Sequence, residues 1–225
     1  MKQTKIEWCD TTINPVVGCP RGCEYCYARR MNGRKLPWSI SDFSKPEFRP
    51  YALKALKSKK PKSIFMNSMS DIEFWSNEQA NFVYDAIVAN PQHRYIFLTK
   101  GSKTMTRRDY IFNGMTITSQ NDIKNIHGNI DFLSIEPILE PIYLLEEADP
   151  NRRASIETLK VVILGAETGN RKGRIIPQKE WLDDIVAQCD SHGISVFMKN
   201  SLKQLMGADF RQDTLPWQDG GGGEC

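Results

Sequence analysis

The chain has 225 residues, 40% hydrophobic and 25% charged, with a formal net charge of +3. That balance suits one substantial globular core and does not resemble a small disulfide scaffold. Mild basicity permits an anionic substrate or nucleic acid without requiring one.

The N-terminal stretch MKQTKIEWCDTT is polar and lacks the apolar core of a signal peptide. No apolar run reaches the length of a membrane span, so the reading is a cytoplasmic protein with no membrane partner. In a reducing compartment, six cysteines point to metal or catalytic thiols rather than disulfides.

Short apolar runs predict strands at Ile13–Val17, Ser63–Asn67, Tyr95–Thr99, Met115–Thr118, Phe132–Ile135, Val161–Leu164 and Ser195–Met198. Runs apolar on both faces read as buried parallel strands. Helical spacing predicts helices over Asn77–Ala89, with Ser76 or Asn77 as cap, and over Gln178–His192, stopped by Gly193. Pro50–Lys60 reads as a further helix ended by Pro61. The alternation implies an α/β fold of βαβ units in a parallel sheet or barrel. One domain is expected over residues 1–217. Leu145–Ser155 reads as a surface loop, and 218–225, with four consecutive glycines, as a disordered tail carrying an incidental Cys225.

The predicted strands run out into polar groups: Asn67-Ser68 with Asp71, Thr99-Lys100, Ser119-Gln120-Asn121, Glu136-Pro137, Glu167-Thr168 and Lys199-Asn200. In a parallel barrel these ends share the rim where active sites lie.

GCPRGCEYCYA, residues 18–28, sets Cys19, Cys23 and Cys26 at a C-x3-C-x2-C spacing. Thiolates are soft ligands for zinc or iron–sulfur clusters. Structural zinc normally takes a fourth Cys or His, and no second pair follows. Three thiolates on a 4Fe–4S cluster leave one iron open to a small chelator. Gly18 and Gly22 let the backbone wrap closely, and Tyr25 offers a ring for a flat partner.

This loop resembles the signature of the radical S-adenosylmethionine superfamily. IEWCDTTINP, FMNSMSD, PQHRYIFLTK, FLSIEPILEPI and VVILGAETG resemble, in the same order, segments of one family within it. That family is phage-associated, radical-SAM-like and of unknown function, and the resemblance spans about residues 4 to 200.

The resemblance implies a partial parallel (β/α)6-type TIM barrel. Cys19, Cys23 and Cys26 would hold a 4Fe–4S cluster, whose open iron S-adenosylmethionine would chelate. One-electron reduction, from a donor such as a flavodoxin or ferredoxin, would yield methionine and a 5′-deoxyadenosyl radical that takes hydrogen from the substrate. By position Tyr25 would contact the adenine, Asn67, Ser68 and Ser70 the methionine end, and Ser119 and Gln120 the ribose. Many superfamily members have Gly-Gly-Glu where this chain has Asn67-Ser68-Met69-Ser70. Nearer relatives often have a longer gap between the first two cysteines and usually lack a counterpart of Cys9.

Other residues keep two readings. Cys9 is a small buried hydrophobe or an extra ligand, the former preferred; Cys189 is core. Glu136 and Glu167 are catalytic carboxylates, with Lys199 beside them, or ion-pair partners of Lys100 or Lys199. Asp71 is a helix cap or a site residue. Arg171, Lys172 and Arg174 grip phosphate or line a solvated loop, and Lys54, Lys57, Lys59, Lys60 and Lys62 mark a nucleic-acid footprint or a solvated helix face; the solvated readings are preferred. His93, His127 and His192 are ordinary.

The leading expectation is thus a radical enzyme, with a nucleotide or nucleic-acid base as the favoured substrate class, including modification or rearrangement of a DNA base. A partner protein or large substrate would complete the mouth. The rival is a non-catalytic nucleic-acid-binding protein stapled by zinc, with Cys9 as fourth ligand. A small electron-transfer iron–sulfur protein is a third, weaker reading.

Overall fold

The computed structural model describes residues 4–128, 130–144, 155–156 and 159–218. The chain is α/β and falls into two compact units, residues 1–113 and 114–225. The expected Gly-rich tail beyond Gln218 and most of the expected 145–155 loop lie outside the described residues.

In the first unit, β1 (Thr11–Thr12) pairs parallel with β4 (Ser63–Phe65), and β4 pairs parallel with β5 (Arg94–Thr99). β2 (Val16–Val17) and β3 (Glu47–Phe48) form a separate antiparallel pair. Of the expected strand Ile13–Val17 only Val16–Val17 is a strand, and the parallel strand Thr11–Thr12 lies just before the expected range. Pro15, at the break, has no N–H to give a ladder. Asn14 turns its side chain across to β4's exit, where Oδ1 accepts from Met69 N–H at 2.9 Å and from the Ser68 hydroxyl at 3.1 Å.

Ser76 caps α2 (Asn77–Val88) through a reciprocal box: its hydroxyl accepts from Gln79 N–H at 3.1 Å, and the Gln79 side chain accepts from Ser76 N–H at 3.0 Å. Such a cap is worth about 1 kcal/mol. Pro50–Lys57 is a 3-10 helix, shorter and tighter than the expected helix to Lys60. Leu53, Leu56, Ile64, Met66, Val83, Ile87, Tyr95 and Phe97 belong to the main core of this unit. A smaller cluster of Val17, Ala28, Ile40, Phe43 and Met69 has Cys19 and Cys26 packed against it.

β6 (Ile111–Ile117) runs from the last residues of the first unit into the second. It pairs parallel with β7 (Phe132–Ile135), β7 with β8 (Val161–Leu164), and β8 with β9 (Ser195–Met198). β7 and β8 are buried along their whole length, as continuous apolar runs predict for parallel strands. α3 (Lys179–Ser191) follows its expected span and buries Leu182, Ile185 and Cys189. In register, Gly114 of β6 faces Phe132 of β7. A Cβ at Gly114 would run into the Phe132 ring, so glycine gives that ring its space.

Candidate functional site

The three clustered cysteines lie on the loop between β2, which pairs antiparallel with β3, and α1 (Tyr27–Asn32). The loop is tied to its surroundings by backbone bonds. Gly18 N–H donates to Met69 O at 2.9 Å and Cys19 N–H to Phe43 O at 2.6 Å. Gly18 sits at φ +115°, and a Cβ there would lie 2.9 Å from Pro46 Cα, so only glycine passes. Gly22 turns the loop at φ +76°.

Two of the sulfurs accept backbone N–H groups. Cys26 caps α1, its Sγ accepting from Arg29 N–H at 3.4 Å. Cys19 accepts from Arg21 N–H. Burial pushes the Cys19 thiol up, and the charges of Asp71, Cys26 and Cys23 add to that. Arg29 braces the loop from behind: it donates to Cys19 O at 2.9 Å and lies over the Phe43 ring at 5.4 Å.

Asp71 holds the loop to the ends of β4 and β5. It is 8% exposed. Its Oδ1 accepts from the Thr99 hydroxyl at 2.8 Å and Glu73 N–H at 3.1 Å. Its Oδ2 accepts from Lys100 N–H at 3.1 Å and from Arg21 Nε at 3.2 Å. Asp71 is therefore both a cap, of the short 3-10 turn Ile72–Phe74, and a clasp on the cysteine loop. Arg21 also lies over the Phe74 ring at 5.2 Å. Its part was missed in the sequence, because an arginine between two cysteines carries no pattern that names its partner 50 residues away.

Tyr25 lies under the Lys100 ammonium, 5.3 Å from ring centroid to Nζ. Asn67 is 2% exposed, and its amide bridges backbones: Nδ2 donates to Leu98 O at 2.6 Å while Oδ1 accepts from Leu98 N–H at 3.0 Å. It joins β4 to β5 rather than facing outward. Ser68 is bonded to Asn14 through its hydroxyl, and its carbonyl accepts from the Tyr27 hydroxyl at 2.6 Å. Ser70 Oγ accepts from Trp75 Nε1 at 3.0 Å. Of the expected methionine-end residues, Ser68 and Ser70 are half-buried beside the loop and Asn67 is enclosed.

In the second unit, Glu136 and Lys199, leaving β7 and β9, form an ion pair. Gly165 stands between them: a Cβ there would come within 3.1 Å of both side chains. Glu167, 5% exposed, holds Arg171 by a two-pronged bond, Nε to Oε1 at 2.7 Å and a terminal nitrogen to Oε2 at 2.8 Å. The Arg171 fork is engaged by that carboxylate, and Arg174 reaches back to Gly169 O at 3.1 Å. Ser119 N–H donates to Asp122, and the Gln120 amide pairs with the Tyr143 backbone at 2.8 and 3.1 Å. These two shape the loop after β6.

Cys9 is buried, and Cys189 is fully enclosed with its thiol pushed up to about 12 by burial. Among the described residues, no group of three or more His, Cys, Asp or Glu is gathered to hold a single metal ion. A four-iron cluster is wider than an ion and spreads its thiolates further apart. Three soft donors on one glycine-hinged loop, two of them receiving N–H groups, suit such a cluster in donor chemistry.

A family model described as "Protein of unknown function (DUF5131)" matches residues 3–208. The chain belongs to that family. The matched stretch takes in the cysteine loop, Asp71 and all nine strands named above. No curated protein and no solved structure matches the chain.

Proposed function

We propose that this protein is a radical S-adenosylmethionine enzyme in which Cys19, Cys23 and Cys26 hold a 4Fe–4S cluster. The observation that supports it most is the loop itself: three thiols within eight residues, on a backbone that Gly18 and Gly22 alone allow, with N–H groups turned onto Cys19 and Cys26. The partial (β/α)6 barrel implied by the sequence resemblance belongs to the same proposal.

When bound, the cluster would pass one electron to S-adenosylmethionine, releasing methionine and a 5′-deoxyadenosyl radical able to take hydrogen from a substrate. The chain's own part is to hold and to orient. Arg21 and Arg29 N–H groups stabilise negative sulfur. Asp71, through Arg21, fixes the loop against the ends of β4 and β5. Tyr25 and Lys100 offer a ring and a cation beside the loop for an adenine and a carboxylate. Ser68 and Ser70 are the candidates for the methionine end. Ser119 and Gln120 for the ribose, and Glu136, Glu167 and Lys199 as proton-handling groups, complete the proposal; the last three would have to leave their ion pairs to act. A nucleotide or nucleic-acid base is the favoured substrate class, and a flavodoxin-like or ferredoxin-like protein the electron donor.

Metal analysis after anaerobic reconstitution with iron and sulfide tests the ligand set. The expected result is about four irons per chain, a brown protein, and loss of iron in Cys19→Ala, Cys23→Ala and Cys26→Ala but not Cys9→Ala. A colourless protein with one zinc, lost in Cys9→Ala as well, would replace this reading by a structural zinc staple.

A further inference from the structure

The 3-10 winding of Pro50–Lys57 orders its side chains in a way the sequence alone does not show. With three residues per turn, positions i and i+3 eclipse, whereas in an α-helix they drift by about a sixth of a turn per step. One row holds Leu53 and Leu56, both buried. Another holds Tyr51, Lys54 and Lys57, all exposed, with Tyr51 63% exposed. Along this row the side chains stand about 6 Å apart, three residues at about 2.0 Å each.

The surroundings add charge and rings. No acid occurs between Glu47 and Asp71, a stretch that also carries Lys59, Lys60 and Lys62. The charge of Glu47 is met by Arg49 at 3.4 Å. Phe48, three residues before Tyr51, meets Phe82 of α2 edge-on at 5.6 Å, and Phe82 is 52% exposed. α2 packs against the 3-10 helix itself. Large exposed aromatic rings beside a row of cations form a surface of the kind that binds unpaired bases and their phosphates.

We propose that this face binds a single strand of nucleic acid, with a base on Tyr51, a neighbouring base against Phe82, and successive phosphates at Lys54 and Lys57. The exposed rings of Tyr51 and Phe82 suit a single strand better than a duplex, whose bases are stacked and paired inside and offer no free face. An acidic protein would satisfy the lysines but leave the rings without a flat partner. The inference deepens the nucleic-acid side of the proposed function, yet it needs neither iron nor S-adenosylmethionine.

Fluorescence anisotropy on the iron-free protein tests it, with a labelled oligothymidine strand, the same length of duplex, poly-glutamate and anionic lipid vesicles as probes. The single strand is expected to bind best. Tyr51→Ala should weaken it about 5- to 150-fold, and Phe82→Ala should weaken it as well. Lys54→Gln with Lys57→Gln should reduce the slope of log K against log salt by about 1.4, or about 0.7 for each phosphate no longer neutralised. All four positions are exposed, so the variants should fold. Absence of binding, preference for duplex, poly-glutamate or vesicles, or binding indifferent to Tyr51→Ala overturns the proposal. Because the radical reading is judged by iron and 5′-deoxyadenosine, either can fail while the other stands.

Discussion

Asp71→Ala removes the clasp between the cysteine loop and the ends of β4 and β5. Four donors lose their acceptor: the Thr99 hydroxyl, the N–H groups of Glu73 and Lys100, and Arg21 Nε. A buried donor left without a partner costs about 1–3 kcal/mol, and the Thr99 hydroxyl, on a residue 3% exposed, is the most enclosed of the four. Loss of the Ile72–Phe74 cap adds about 1 kcal/mol. The Arg21 pair adds at most about 1 kcal/mol, because the Arg21 side chain is 28% exposed and screened. The total is about 2–5 kcal/mol. Asp71→Asn keeps one acceptor oxygen for Thr99 and Glu73, and should cost about half as much. Equilibrium urea denaturation followed by tryptophan fluorescence measures both, since buried Trp75 lies in the same segment. A loss below about 1 kcal/mol for Asp71→Ala would refute the clasp, because that is the range of an ordinary surface change.

Gly114→Ala should destabilise by about 1–3 kcal/mol through its clash with Phe132, and pairing it with Phe132→Leu should return part of the loss in thermal melts; no rescue would mean the ring is not the obstacle. Gly18→Ala meets both a positive φ and the Pro46 backbone, so reconstituted iron should fall severalfold, and full loading would show the loop to be less constrained than described. Iodoacetamide should modify Cys19 of the metal-free native protein more slowly than free glutathione at about pH 8, and faster as pH rises, because burial raises its thiol; Cys189 should react only after unfolding. Burial lowers His127 below its ordinary 6.5. The unfolded chain then binds the proton more readily, so stability should fall as pH drops through 6.5, and His127→Gln should flatten that part of the profile; an unchanged slope would assign it to other groups.

The parallel strands were legible because they are continuous apolar runs, and α2 and α3 because their apolar spacing and ends agree. The division into Thr11–Thr12 and Val16–Val17 was hidden, although Pro15 marks the break, because the partner of Val16–Val17 is the two-residue strand Glu47–Phe48, too short to leave a pattern. The 3-10 winding of Pro50–Lys57 was hidden for a related reason: leucines three apart fit either helix. At the site, the cysteines declare themselves by spacing. Their supports do not, because Arg21 with Asp71, and Asn14 with Ser68 and Met69, are pairings made by the fold across 50 or more residues. Asn67 reads in sequence as a polar group at a strand exit; its enclosure follows from the two bonds to Leu98, which no local pattern announces.

The radical reading meets its most direct test in one assay. Reconstituted protein is reduced with dithionite in the presence of S-adenosylmethionine, and 5′-deoxyadenosine is quantified by chromatography and mass spectrometry. The expected result is 5′-deoxyadenosine from the native chain and none from Cys23→Ala. An iron-loaded native protein that yields no more than Cys23→Ala would contradict it.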